Sequence, residues 1–190
     1  MFKKTKRFNP EYEYLVNELK LKKTKNCLAE MSYQQLKDFY YHYNLQNLTY
    51  GPLDYTFKKI LKIIYKFKFF HSNESEKSTW FLNMKHTYEL LSQIHNIESK
   101  NLTISFEALI ANGRIDTLIE TNKGIFVIEY SHLKPDRNYE TKKEIKQNQL
   151  NSYCKYLCKV TNGTIVGMIY FDNIDETINR TLETLKDFLN

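Results

Sequence analysis

The sequence predicts an α/β fold, with a mixed β-sheet core flanked by helices and an N-terminal helical region. Three observations predict it. Apolar residues recur at helical spacing through much of the first hundred residues. Near residue 102 the period changes to short β-rich runs separated by turn residues. A last β-rich run, Thr164 to Phe171, follows a helix, and a strand reached by a helical crossover can pair in parallel with an earlier strand.

The elements follow in order. Glu11 to Lys23 is one candidate helix, and Ser32 to Tyr43 another, with Ser32 as its N-cap. Asp54 to Phe70 has the clearest pattern: Leu53, Phe57, Ile60, Leu61 and Ile64 recur on one face, with Lys59, Lys62 and Lys66 on another. His71 to Ser78 is polar and predicts a loop. Thr79 to Ile97 is helical, with Leu82, Tyr88, Leu91 and Ile94 as core contacts. Strands are expected at Leu102 to Ala108, Arg114 to Glu120 and Ile125 to Tyr130. A polar loop from Ser131 to Tyr139 contains Pro135-Asp136. A helix over Thr141 to Lys159, the strand Thr164 to Phe171 and a closing helix over Asp175 to Leu189 complete the order. Residues 1–78 are expected to form the N-terminal helical region, packed on a core of residues 79–190.

Length and composition set the class. A chain of 190 residues suffices for one sizeable domain. Abundant Tyr and Phe with few Gly and Pro suit a globular protein. The formal net charge of +6 favours phosphate backbones or acidic membranes, and equally suits a solvated surface. Three cysteines, Cys27, Cys154 and Cys158, make no disulfide framework, and buried structural thiols are expected. No apolar run reaches membrane-spanning length, and MFKKTKRFNP lacks the apolar core of a signal peptide, so the expectation is a soluble, intracellular protein without a membrane partner.

Chemistry concentrates in Gly113-Arg114-Ile115-Asp116 and Ile125-Phe126-Val127-Ile128-Glu129, joined by a turn at Asn122-Lys123-Gly124. Hairpin pairing can set Asp116 beside Glu129 at the end of a sheet. Two carboxylates held there repel one another unless a cation lies between them, which is how a divalent metal site is built. Each acid alone also suits a turn or strand end; the two together favour the metal. Carboxylates more than about 8 Å apart would exclude a shared hard metal, whose ligands lie within about 2.0–2.6 Å of the ion.

This order of elements and residues resembles the PD-(D/E)XK nuclease superfamily, and within it the RecB-like branch of CRISPR adaptation nucleases and mitochondrial genome maintenance exonucleases. The matching features are His86 in a helix ahead of the sheet, the Gly-Arg-Ile-Asp run ending at Asp116, the apolar strand ending at Glu129, and Gln149-Leu150-Asn151-Ser152-Tyr153 on the following helix. The resemblance implies a restriction-endonuclease-like core over roughly residues 80–190. It implies Mg²⁺ or Mn²⁺ held by His86, Asp116, Glu129 and the main-chain carbonyl of Tyr130. It also implies that Gln149 and Tyr153 face the active site and DNA.

The chain departs from the family's acid-x-Lys signature, with Ser131 standing where the lysine belongs. That lysine orients the attacking water and offsets developing charge. Lys146, three positions before Gln149, is the first candidate to replace it; Lys142 and the loop residue Lys134 follow. Glu89 and Glu107 could approach the site, but a helix-surface or strand-surface role suits each better. Some relatives hold an iron–sulfur cluster on four cysteines, and three cannot complete that set.

The expected activity is metal-dependent hydrolysis of DNA phosphodiester bonds, directed to ends or single strands. The basic helix Asp54 to Phe70 would meet backbone phosphates, with aromatics stacking on bases. Alternatives are a catalytically inactive DNA-binding or assembly protein of the same fold, which Ser131 favours, an RNA endonuclease, and an unrelated α/β protein.

Overall fold

The structure, a computed structural model, describes residues 27–51, 53, 55–65, 74–111, 113–132 and 138–190. The helix expected over Glu11 to Lys23, Lys134 and the Pro135-Asp136 loop lie outside the described residues. Five strands form one sheet: β1 (Ala29–Met31), β2 (Thr103–Ile110), β3 (Gly113–Thr121), β4 (Gly124–Ser131) and β5 (Thr164–Phe171), in spatial order β1-β2-β3-β4-β5. Neighbours are antiparallel except β4 and β5, which run parallel across the helical crossover. The fold is therefore a mixed α/β sheet flanked by helices.

On one face pack α1 (Tyr33–His42), α3 (Glu74–Leu91) and α5 (Asp175–Leu189), while α2 (Tyr55–Tyr65) adds Phe57 and Ile60 to the same core. This core joins Leu36, Phe39, Phe81, Ile104, Phe126, Ile128, Tyr130, Tyr170 and Leu185, so it runs without a break across residues 78 and 79. The other face is covered by α4 (Tyr139–Val160), whose Leu150, Tyr153 and Leu157 meet Ile115, Leu118, Ile125 and Val127.

Local chemistry explains the ends. Ser32 caps α1 through a capping box: its Oγ accepts from the Gln35 N–H at 3.2 Å, and its own N–H donates to Gln35 Oε1 at 2.9 Å. The β3–β4 hairpin turns on Asn122-Lys123, with Thr121 opposite Gly124. At Gly124 an added Cβ would lie 2.0 Å from the Thr164 carbonyl oxygen, so glycine lets the two strand starts close together.

Three elements differ from expectation. A short edge strand, Ala29–Met31, lies in the region read as helical; three residues of Ala-Glu-Met carry no β signal of their own. The helix expected from Thr79 begins at Glu74, inside the expected loop, and ends at Leu91 rather than Ile97. Its end is taken over by turns and a 3₁₀ segment at Ile97–Ser99, entered through Asn96 in the left-handed region.

The alternation of β2 and β3 slips at one shared place. Ile104 and Phe106 face the α3 side, yet Ala108 joins the α4 side. Ile115 faces the α4 side, while the hydroxyl of Thr117 meets that of Thr87 on α3. The slip occurs at Glu107, with φ 52°, and at Asp116; the register passes from Phe106–Thr117 to Ala108–Ile115 around them. Bending two adjacent strands at the same level sets both acids at one spot on the sheet.

Candidate functional site

Glu129 anchors this spot. It follows Ile125 and Val127 on the α4 face of β4, and its side chain is fully buried. The ladder between β3 and β4 ends at Thr117–Ile128, and side chains take over from there. The Asp116 N–H donates to Glu129 Oε1 at 3.2 Å, and the Tyr130 N–H donates to Asp116 Oδ2 at 2.8 Å. Each carboxylate thus accepts from the main chain of the opposite strand.

Lys146 reaches both acids from α4. Leu150, one turn further on, seats the helix in the core and aims Lys146 at the strands. Its Nζ donates to Glu129 Oε2 at 3.0 Å and to Asp116 Oδ2 at 3.4 Å. The two carboxylate oxygens are therefore within about 6.4 Å of each other, the sum of those contacts. Glu107, read from sequence as a surface residue, is a correction: it is buried, and the charges of Asp116 and Glu129 act on it. Its second partner is Arg114, whose Nε lies 3.6 Å from Glu107 Oε2.

Positive charge is short here. Burial and the neighbouring Asp116 push the Glu129 carboxyl up to about 7, against the pull of Lys146. Burial, Asp116 and Glu129 likewise hold Glu107 well above the carboxylate range. Burial opposes the Lys146 charge, but Asp116 and Glu129 outweigh it and raise its pKa. Two buried carboxyls that retain protons beside a half-buried third carboxylate are chemically suited to a hard divalent cation.

Gln149 and Tyr153 continue the same helix face. Gln149 Nε2 donates to the Tyr153 hydroxyl, and Tyr153 packs over the start of β3. An added Cβ at Gly113 would fall 2.7 Å from that hydroxyl, so the glycine of the Gly-Arg-Ile-Asp run makes room for the tyrosine. Burial raises the Tyr153 pKa, while the bond from Gln149 opposes it. Tyr130 enters the site through its main chain, and its side chain is buried on the opposite face beside Thr87.

His86 is a correction. It was expected beside Asp116 and Glu129, but α3 packs on the far side of the sheet and carries it there. Its Nδ1 lies 3.2 Å from Glu89 Oε2 and 3.3 Å from the Tyr170 hydroxyl, and its Nε2 lies 3.8 Å from Asp172 Oδ2. Glu89 belongs to this second group and also accepts from the Tyr40 hydroxyl at 3.1 Å. Cys27 is buried and Cys154 half-buried, while Cys158 is exposed, against the expectation of buried thiols. Of the expected basic face of α2, Lys59 is exposed, as is the neighbouring Lys58, while the side chains of Lys62 and Lys66 lie outside the described residues.

Sequence reasoning missed His132 and Asp172. The signal that finds them is the parallel register: Ser131 lies opposite Phe171, so the next residue of each strand falls side by side at the carboxyl edge of the sheet. Among the described residues no helix is long and apolar enough to cross a membrane. Comparison of the chain with protein-family models, curated proteins and solved structures gives no match.

Proposed function

We propose that the chain is a metal-dependent nuclease of the PD-(D/E)XK type, close to the RecB-like branch, that hydrolyses DNA phosphodiester bonds at ends or in single strands. The observation that carries this reading is the Lys146 ammonium against both Asp116 and Glu129. A lysine one helix later thus occupies the neighbourhood of the acids that Ser131 leaves without a cation.

Asp116 and Glu129, with Glu107 beside them, would hold Mg²⁺ or Mn²⁺; the excess of carboxylate over positive charge is what fits this donor set to a hard ion. When bound, the ion supplies Lewis-acid polarisation of the phosphate and lowers the pKa of water. Lys146 stays charged near neutral pH and offsets the negative charge that develops on the phosphate. Gln149 and Tyr153, one and two turns beyond Lys146, orient the strand. Lys58 and Lys59 add attraction for backbone phosphate.

The test is cleavage of end-labelled single- and double-stranded DNA, with RNA in parallel, in Mn²⁺ or Mg²⁺. Metal-dependent cleavage by the wild type, lost in Asp116→Ala, supports the reading. DNA binding without any cleavage would replace it with a non-catalytic DNA-binding protein. Cleavage confined to RNA would replace the substrate class.

A further inference from the structure

The opposite face of the sheet carries its own cluster. His132 Nδ1 lies 3.0 Å from Asp172 Oδ2, and His86 Nε2 lies 3.8 Å from the same oxygen. One ligand-capable atom from each of the three residues lies within 4.8 Å of the others. Each imidazole places its other nitrogen on a side-chain oxygen: His86 Nδ1 on Glu89 Oε2 at 3.2 Å, and His132 Nε2 on Asn83 Oδ1 at 2.7 Å. The Tyr170 hydroxyl also lies 3.3 Å from His86 Nδ1.

These outer contacts fix what faces inward. Glu89 and Asn83 each offer an acceptor oxygen, which favours the tautomers in which each ring donates its N–H outward. His86 Nε2 and His132 Nδ1 then present lone pairs toward one carboxylate oxygen. Three acceptors converging on a single point repel unless a cation sits among them. We infer that His86, His132 and Asp172 bind a divalent transition metal of the zinc class, at a site separate from Asp116, Glu129 and Lys146.

Two nitrogens and one oxygen suit a borderline-soft ion better than Mg²⁺ or Ca²⁺. In a tetrahedral zinc site with ligands about 2.0–2.1 Å from the ion, neighbouring ligand atoms sit roughly 3.3 Å apart. The two contacts at Asp172 Oδ2 fall on either side of that spacing, and the imidazole nitrogens, within 4.8 Å of each other, draw together when the ion binds. Glu89 and Asn83 act as positioning residues that hold the tautomers, the usual outer shell of a metal-bound imidazole. A cavity of about 450 Å³ lies against the three ligands, lined also by Leu48, Tyr50, Leu82 and Lys85. It leaves a fourth coordination position open to water or a small anionic ligand. The Lys85 amine is tied to the Leu48 carbonyl at 2.8 Å, which keeps its charge engaged away from the ligands.

The inference does not rest on the nuclease reading, and it is tested with metal alone. Metal-free full-length chain is titrated with Co²⁺, then with Zn²⁺ as competitor, in the wild type and in Asp116→Asn. One tight equivalent that Zn²⁺ displaces is expected in both, with visible cobalt bands and no thiolate charge-transfer band; any weaker second equivalent at the carboxylates is expected in the wild type alone. His86→Ala and Asp172→Ala should each weaken zinc by more than about 100-fold, and Glu89→Gln by roughly 10-fold, within the range that outer-shell losses cause. Each variant is checked for wild-type circular dichroism. Absence of tight cobalt and zinc binding in the wild type overturns the proposal without any variant. So does a thiolate band, which would move the ion to Cys154 and Cys158. Loss of the bound equivalent in Asp116→Asn would place it with the carboxylates and also overturn the site. Undiminished binding by folded His86→Ala and Asp172→Ala would do the same.

Discussion

The two faces of the sheet hold polar groups of opposite design. On the α4 face, Asp116 and Glu129 share the Lys146 ammonium, with Glu107 and Arg114 beside them, and the two shared acids are fixed by main-chain N–H groups. On the α3 face, two imidazoles share one carboxylate, and side-chain oxygens fix the rings. Tyr130 joins them, since its N–H serves Asp116 on one side and its ring stacks near His132 on the other. The difference teaches that residue type alone does not assign a side chain to a site. A histidine one helix away from an acid pair can belong to another cluster with another preference for ions.

The largest effect should come from Asp116→Asn. It removes a charge from the α4 face, and cleavage should fall by about 10³-fold or more, several kcal/mol of charge stabilisation. Cleavage rates in Mn²⁺ measure this, and near-wild-type activity would break the assignment of chemistry to that face. Lys146→Ala should lower kcat by about 10²–10³-fold, the range for one lost charge-stabilising donor. A small effect would show that Lys146 merely neutralises its partners and takes no part in the chemistry.

The third effect concerns pH. The folded Glu129 carboxyl titrates near 7, above its ordinary value of 4.5, so the folded state holds its proton more tightly than the unfolded chain. Its contribution is fully present below about pH 4.5 and is lost as pH rises through 7. Metal-free stability should fall over that window by up to about 3 kcal/mol from this group, and the fall should shrink in Glu129→Gln. Urea unfolding at a series of pH values measures it. Mn²⁺ affinity should rise over the same window, because binding expels the proton. A flat difference between wild type and Glu129→Gln would mean the carboxyl is already ionised.

The smallest effect tests the α3 face. The Thr87 hydroxyl meets the Asn83 carbonyl at 2.7 Å and the Tyr130 hydroxyl at 2.8 Å. Thr87→Val should cost about 1–2 kcal/mol, the penalty for buried partners left unpaired, with little change in cleavage. A large loss of cleavage would show that the two faces are coupled through Tyr130.

Much of the fold was legible because its signals are local. The runs at 114–120, 125–130 and 164–171 alternate or stay apolar over a strand's length, and Asn122-Lys123-Gly124 marks the hairpin. The acid pair was legible because the hairpin fixes its register. The side taken by His86 was not. Trp80, Phe81, Leu82, Asn83 and Met84 are buried in succession, so this run of α3 does not single out one core face in the sequence. Glu107 escaped because its backbone sits at positive φ, a conformation that glutamate does not advertise. The 29–31 strand escaped because pairing with β2, not propensity, makes it a strand.

The crossed bonds between Asp116 and Glu129 have a practical consequence. The amide protons of Asp116 and Tyr130 are held by carboxylate oxygens where a regular ladder would use carbonyls. Their chemical shifts and exchange rates therefore depend on the charge carried by two side chains. In a spectrum of the labelled protein these two amides would act as resident probes, recording protonation or ion binding at the acids from inside the sheet.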